Sequence, residues 1–253
     1  MTNTVILIQA RMTSSRLPGK VLLDLGGQPA LAWCVERCKQ ARSAQRVVVA
    51  TTTNASDDPV AALCHQRGWE VFRGSEFDVL DRFVQAARWA QADVVVRVTA
   101  DCPLIDPAEI DRVVEAFFAT GADFAANRLP PPWKRTTPIG LDTEVCRMAA
   151  LERAWREAAQ KFEREHVMPY LYDEPGRFRV HIADWEQDLS HHRWTLDTPE
   201  DYQFLREVVK RLGNRMDVRW QDVLALLEAE PQLMQINAGV RHKSGLEHDP
   251  RMK

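Results

Sequence analysis

Val5-Ile6-Leu7-Ile8-Gln9-Ala10-Arg11-Met12-Thr13-Ser14-Ser15-Arg16-Leu17-Pro18-Gly19-Lys20 is the stretch whose reading decides the fold. Its short apolar run has the composition of a buried strand. The run gives way to a polar loop carrying Arg11, Arg16 and Lys20. A strand that breaks into a cationic loop and then a helical pattern is the layout of a phosphate site. In an open α/β sheet such a loop falls at the C-terminal ends of the strands, where ligands bind. Arg clamps two phosphate oxygens with its planar fork, and Lys follows a moving phosphoryl group as a point charge. Ser14, Ser15 and Gly19 add donors and room for close approach. The GxxxxGK[ST] sequence of a P-loop is absent. A solvated basic loop without a ligand fits the same local sequence.

Working outward, strand candidates recur at Arg46–Thr51, Trp69–Phe72 and Asp93–Thr99. Helical patterns alternate with them: one started by Pro29 and carrying Leu31, Val35 and Cys38, a second over Val60–Gln66, a third from Val79 through Trp89, and a fourth from Pro107 to about Ala119. Repeated strand–loop–helix order predicts a parallel, three-layer α/β domain. After Asp123 the pattern changes. Pro130-Pro131-Pro132 is stiff and extended, and Pro138 to Glu144 reads as a turn entering a strand. A helix over Met148–Lys161, a strand over Arg177–Ile182 and helices over Tyr202–Arg211 and Val218–Glu228 complete the regular part. Residues 236–253 are polar and read as a loosely held tail.

Composition narrows the class. The 253 residues are 45% hydrophobic and 27% charged, as in ordinary soluble globular proteins, with a formal net charge of -3. Nothing global points to nucleic acid, and no apolar run is long enough to span a bilayer. The N-terminus lacks the pattern of a secretory signal. Cys34, Cys38, Cys64, Cys102 and Cys146 show no paired CxxC spacing and read as thiols of a cytoplasmic protein.

Two carboxylates extend the phosphate reading. Asp101 follows an apolar strand and precedes Pro103, so it falls on the same expected rim as the first loop. It suits a magnesium ion against nucleotide phosphates, and equally an Asx-turn or helix cap. Asp197 ends a second apolar-to-polar transition before Pro199, so two strand ends offer carboxylates to one metal. Glu163-Arg164-Glu165-His166 lacks the HExxH arrangement and reads as a surface cluster or part of a substrate site. His191 and His192 are adjacent in an extended segment, where side chains point apart. Asp78 and Asp81 suit helix capping. Trp133 and Trp194 suit either a cavity rim or core packing.

Six blocks, in consistent order, carry a resemblance: Gln9–Lys20, Gly74–Phe83 (GSEFDVLDRF), Thr99–Asp106 (TADCPLID), Gly140–Glu144 (GLDTE), Glu163–Val167 (EREHV) and Arg193–Tyr202 (RWTLDTPEDY). The chain resembles the spore coat polysaccharide biosynthesis protein F family, related to acylneuraminate and 3-deoxy-manno-octulosonate cytidylyltransferases. The resemblance implies a Rossmann-like, three-layer nucleotidyltransferase fold with a mostly parallel sheet, often dimeric. Residues 1–235 would form the domain, with 128–190 as an acceptor and dimerisation excursion. By the same resemblance Arg11, Arg16 and Lys20 act on the triphosphate. Ala10, Ser15, Thr51, Thr52 and Asp101 join Arg11 and Lys20 around the nucleotide, and Asp101 and Asp197 bind Mg2+. Asp142, Glu144, Glu165 and His166 fall to the acceptor. The implied reaction is transfer of CMP from CTP to a sugar acid, with release of pyrophosphate, in surface polysaccharide or glycan-precursor synthesis. Pro130 to Thr137 departs from the sialic-acid and octulosonate patterns and leaves the sugar open. Nucleotidyl transfer to a phosphorylated small molecule, or sugar-nucleotide binding without catalysis, fits the same blocks.

Overall fold

The computed structural model describes residues 2–129 and 134–241. β1 (Thr4–Gln9) lies inside the main sheet, with Val5, Ile6, Leu7 and Ile8 fully buried. A parallel strand covered on both faces has no use for alternation, which is why the run is continuously apolar. The chain then makes a small hairpin, β2 (Asp24–Leu25) and β3 (Gln28–Pro29), and enters α1 (Ala30–Cys38). There follow β4 (Arg46–Thr52), α2 (Asp58–Arg67), β5 (Glu70–Gly74), α3 (Val79–Trp89), β6 (Val94–Thr99) and α4 (Pro107–Thr120). The second half contributes β7 (Phe124–Ala126), β8 (Glu144–Arg147), α5 (Met148–Glu157), α6 (Lys161–His166), α7 (Pro169–Tyr172), β9 (Val180–Ile182), α8 (Pro199–Arg211) and α9 (Trp220–Ala229).

The main sheet has the order β5-β4-β1-β6-β8-β7-β9. β1 pairs in parallel with β4 and β6, and β4 with β5; β8 runs antiparallel to both β6 and β7. The chain leaves β1 toward β4 and leaves β6 toward the opposite edge. A crevice therefore opens between β1 and β6 at their C-terminal ends, where doubly wound sheets bind ligands. Ile6 and Ile8 pack with α1, α2 and α4 on one face, and Val5 and Leu7 with α3, α5 and α7 on the other. This is the expected Rossmann-like, three-layer α/β architecture with a mostly parallel sheet. A third apolar cluster joins Trp33, Trp194, Phe204 and Leu227 and seats α8 and α9 against the domain.

Local chemistry sets the helix starts. Asp106 accepts from the Ala108 N–H and Pro107 opens α4; Thr198 and Asp201 form a reciprocal capping box with Pro199 at the start of α8. Asp78 caps α3 as expected, accepting from the Asp81 N–H at 2.9 Å.

Several boundaries depart from the sequence reading. The helix expected over Met148–Lys161 ends at Glu157, because Ala158 is extended and Gln160 and Glu163 cap a separate α6. The strand expected over Arg177–Ile182 is only Val180–Ile182, and β7 is too short to show a period. The tail is not loose at its start. Asn237 is buried and donates to the Arg193 carbonyl and to Asp201, which fixes the chain there. Residues 242–253 and the Pro130–Trp133 stretch lie outside the described residues. No helix among the described residues is long and apolar enough to cross a membrane.

Candidate active site

The first loop is shaped by its own backbone. The Met12 carbonyl accepts from the N–H groups of Ser14 and Gly19, at 3.1 and 2.9 Å, and folds the loop back on itself. Gly19 closes it at φ +71, a conformation that disfavours a side chain, and hands the chain to a short 3-10 turn beginning at Lys20. The Met12 N–H donates to Asp57 Oδ1 at 2.7 Å, while Asp57 Oδ2 accepts from the Thr52 hydroxyl at 2.5 Å. Asp57 thus ties the loop to the end of β4.

The second half reaches the same rim through a close approach. Gly140, at φ +111, lies where a Cβ would come within 2.7 Å of the Trp194 backbone, and Ile139 bridges Arg193 in parallel. From there the Leu196 N–H and the Thr195 hydroxyl both donate to the Asp101 carbonyl, at 2.7 and 3.0 Å. The end of β6 and an irregular segment before α8, where the sequence suggested a second strand end, are stitched together, and their carboxylates converge.

What they converge on is Lys20. Its Nζ donates to Asp101 Oδ2 at 2.6 Å and to Asp197 Oδ1 at 2.7 Å. Arg16 Nη2 lies 2.9 Å from Asp197 Oδ2. These groups border a cavity of about 220 Å³ that Arg11, Thr13, Ser14, Ser15, Gln9 and Thr99 also line. Behind it, Arg193 Nη2 donates to Asp197 at 3.1 Å, and Arg193 grips Asp201 with two bonds of 2.8 and 2.9 Å. Asp201 also accepts from the backbone N–H groups of Asp197 and Thr198. The Asp197 carboxylate therefore has a fixed direction.

Electrostatics agree with that geometry. Burial works against ionisation of Asp197, yet Lys20, Arg16 and Arg193 outweigh it and hold its carboxyl down to about 2. Burial also works against the Lys20 ammonium, and the two aspartates more than compensate, so its pKa is raised. The Lys20 ammonium and the Asp197 carboxylate are thus each held in the charged form beside the cavity. The hard carboxylate oxygens of Asp101 and Asp197, aimed at one cationic position, fit Mg2+. That ion takes one or two carboxylates and fills its remaining sites with water and substrate phosphates. Among the described residues no group of three or more His, Cys, Asp or Glu side chains could hold a metal unaided.

The other expected residues are placed differently. Ala10 is buried where β1 meets the loop. Thr51 and Thr52 are buried at the end of β4 and form a wall beside the loop rather than a lining of the cavity. Asp142 is clamped by Arg135 at 2.6 and 2.9 Å and by Arg128 at 3.1 Å. Glu144 pairs with Arg97, which also donates to the cavity residue Gln9 at 2.8 Å. Glu165 and His166 lie on α6, against α3, and do not line this cavity. Trp194 is core, and the His191 and His192 rings stack with centroids 4.1 Å apart instead of diverging. Sequence reasoning missed Asp57, Arg97, Arg193 and Asp201. The four-residue spacing of Arg193, Asp197 and Asp201 was the one visible signal.

Comparison with known proteins agrees with the geometry. The spore coat polysaccharide biosynthesis protein SpsF of Bacillus subtilis is 34% identical over 238 residues, covering 91% of this chain and 96% of that protein. A 3-deoxy-manno-octulosonate cytidylyltransferase of Chlorobaculum tepidum is 40% identical over 122 residues, 47% of each chain. The solved structure of a cytidylyltransferase from Leptospira borgpetersenii matches at a TM-score of 0.88 with 33% identity, covering 96% of this chain and 100% of that one. With the cytidylyltransferase family model matching residues 5–241, the chain belongs to the cytidylyltransferase family and is a nucleotidyltransferase.

Proposed function

We propose that this enzyme transfers CMP from CTP to a hydroxyl of a sugar acid and releases pyrophosphate. The observation that carries the reading is the Lys20 ammonium held between Asp101 and Asp197 under a cavity rimmed by Arg11 and Arg16. The acceptor oxygen attacks the α-phosphorus in line. A new phosphorus–oxygen bond forms as the bond to the β-phosphate breaks, and its electron pair leaves with pyrophosphate. The hydroxyl proton passes to a carboxylate at the site or to water. Arg11 and Arg16 bind the triphosphate, and Lys20 neutralises charge that builds on the transferred phosphoryl and the leaving group. Asp101 and Asp197 hold Mg2+, which shields the phosphate charge. The family supports cytidine as the nucleoside, and the octulosonate cytidylyltransferase relative supports an acidic sugar.

On the acceptor side, Arg128, Arg135 and Arg97 set three guanidiniums around Asp142 and Glu144. In this reading residues 128–190 supply the acceptor contacts and a homodimer contact. Light scattering of the purified protein tests the dimer.

The deciding assay incubates the protein with each nucleoside triphosphate, Mg2+ and a panel of sugar acids, and follows pyrophosphate and product mass. CTP-dependent pyrophosphate with a CMP-sugar product is expected. Saturable CTP binding with no product from any acceptor would sink the reading. Asp101→Asn is expected to lower kcat about a hundredfold, with the melting temperature little changed.

A further inference from the structure

One residue of β6 is out of keeping with its strand. Val94, Val95, Val96 and Val98 are buried in the sheet, and among them stands Arg97. Its Nη1 pairs with Glu144, and the two side chains are only 11% and 7% exposed. A buried ion pair is weak evidence for stability, because apolar residues of similar volume often serve a fold as well or better. The other edge of the guanidinium has a separate task. Nε and Nη2 both donate to Oε1 of Gln9, at 3.2 and 2.8 Å.

Those two bonds fix the Gln9 amide. Arginine carries donors only, so the atom facing it must be the carbonyl oxygen, and the amide cannot turn over. Gln9 lines the reaction cavity. Its NH2 group is held on the other corner of the amide, and the described residues offer it no acceptor. A free glutamine side chain would lose rotamer freedom on binding a ligand, whereas a clamped one is already aimed. The side chain reaches from β1 toward β6 and β8, the side of Asp142, Arg128 and Arg135. Arg11, Arg16 and Lys20 stand on the loop that follows β1. Gln9 thus lies between the cations for the phosphates and the side from which an acceptor would approach them.

We infer that Gln9 is a binding residue for the acceptor, donating from Nε2 to an oxygen of the sugar acid beside its attacking hydroxyl, and that Arg97 is a positioning residue acting through Gln9. The inference rests on the sugar-acid reading above. A neutral amide suits this place. A cation here would attract triphosphate and acid alike, while an amide donates to the acid's oxygen without competing for the nucleotide. A site built to hydrogen-bond a substrate oxygen also rejects analogues that lack it. The arginine inside an apolar strand, its buried carboxylate partner and the fixed amide then have one purpose.

The test measures pyrophosphate release with CTP, Mg2+ and 3-deoxy-manno-octulosonate, or whichever acid of the panel turns over fastest. Wild type, Gln9→Glu, Gln9→Ala, Arg97→Lys and the Gln9→Ala/Arg97→Lys double variant are compared, alongside melting temperatures. Gln9→Glu keeps the shape and an oxygen for Arg97 but replaces the donor toward the substrate by an acceptor. It is expected to raise the KM for the acid by on the order of ten- to a hundredfold, with the KM for CTP within about twofold. Arg97→Lys, which keeps the charge but not the fork, is expected to raise the acid KM roughly three- to tenfold and to add nothing on top of Gln9→Ala. A folded Gln9→Glu with the wild-type acid KM, or with the CTP KM raised instead, overturns the inference and leaves the transfer reading standing. An Arg97→Lys effect that persists in the double variant overturns the positioning role. Wild type that turns over no acid overturns the sugar-acid reading, and this inference with it. Should the variants not fold, the wild-type Gln9 side-chain NH2 resonances, assigned through bonds from the backbone, decide. They are expected to shift when the acid joins Mg2+ and a non-hydrolysable CTP analogue; no shift overturns the inference.

Discussion

Two groups of buried charge sit on the same domain and are satisfied in opposite ways. Arg37 is fully enclosed and spends its donors on backbone carbonyls, those of Ile105 at 2.7 Å, Met216 at 2.9 Å and Leu104 at 3.4 Å. Its neighbour Asp106 accepts from the backbone N–H groups of Ala108 and Trp220, both at 2.8 Å. Each of these charges closes mainly on main chain, with Arg37 Nη2 4.0 Å from Asp106 Oδ2 and Arg219 Nη1 3.5 Å from Asp106 Oδ1 as longer ion pairs. Lys20, Asp101 and Asp197 close mainly on one another and on Arg16 and Arg193, and they border open space. Charges that terminate on backbone hold elements in place. Charges that terminate on other charges beside a cavity can exchange their partners for a ligand's.

Exchanging the two roles by mutation is the largest test of that contrast. Lys20→Met is expected to cut kcat about 10²–10³-fold, because the charge that meets the reacting phosphates disappears. Arg37→Met is expected to cost about 3–5 kcal/mol of stability, since Asp106 loses a buried counterion and three carbonyls lose donors, with kcat per folded molecule unchanged. Steady-state kinetics and denaturant titration on both variants check this. A large kcat loss in folded Arg37→Met would erase the distinction.

The contrast also explains what the sequence could disclose. The cationic loop was legible because its strand, polar break and Gly19 are contiguous, and local order alone places such a loop on a parallel-sheet rim. Asp101 and Asp197 were legible as candidates for the same reason, each ending an apolar run before a proline-started helix or turn. Their meeting at Lys20 was not. It depends on the Gly140–Trp194 contact and on the bonds from Thr195 and Leu196 to Asp101, which are tertiary. Arg82 and Arg37 look alike on paper, each an arginine inside an amphipathic helix. Only the fold shows that Arg37 meets three carbonyls and Arg82 one, that of Ser75. The break at Ala158 and the docking of Asn237 escaped notice because residues of ordinary propensity were overruled by capping and by a distant partner.

Acid titration gives the next largest effect. The Asp197 carboxyl is held at about 2 against an ordinary 3.8, so its contribution to stability is fully present above 3.8 and is lost as pH falls toward 2. That contribution is roughly 2 kcal/mol. In Asp197→Asn this part of the acid loss is expected to vanish, leaving a flatter stability profile between pH 4 and 2 than in wild type. Denaturant melts at stepped pH measure it. An unchanged profile would show that the cluster does not hold this charge through folding.

The smallest effect probes how far the site's fixed direction depends on residues behind it. Asn237 Nδ2 donates to the Arg193 carbonyl at 3.1 Å and to Asp201 Oδ1 at 3.0 Å. Asn237→Ala leaves both acceptors buried and short of a donor, at about 1–2 kcal/mol. Catalysis is expected to move far less, with kcat within about threefold, because Arg193 keeps two bonds to Asp201 and one to Asp197 without help from Asn237. The two readouts therefore separate: thermal melting registers the lost donor, and kcat registers whether Asp197 turned. A tenfold fall in kcat would mean that the Asp197 carboxylate is aimed from the C-terminal segment. The boundary between scaffold and site would then run through Asn237 instead of stopping at Arg193.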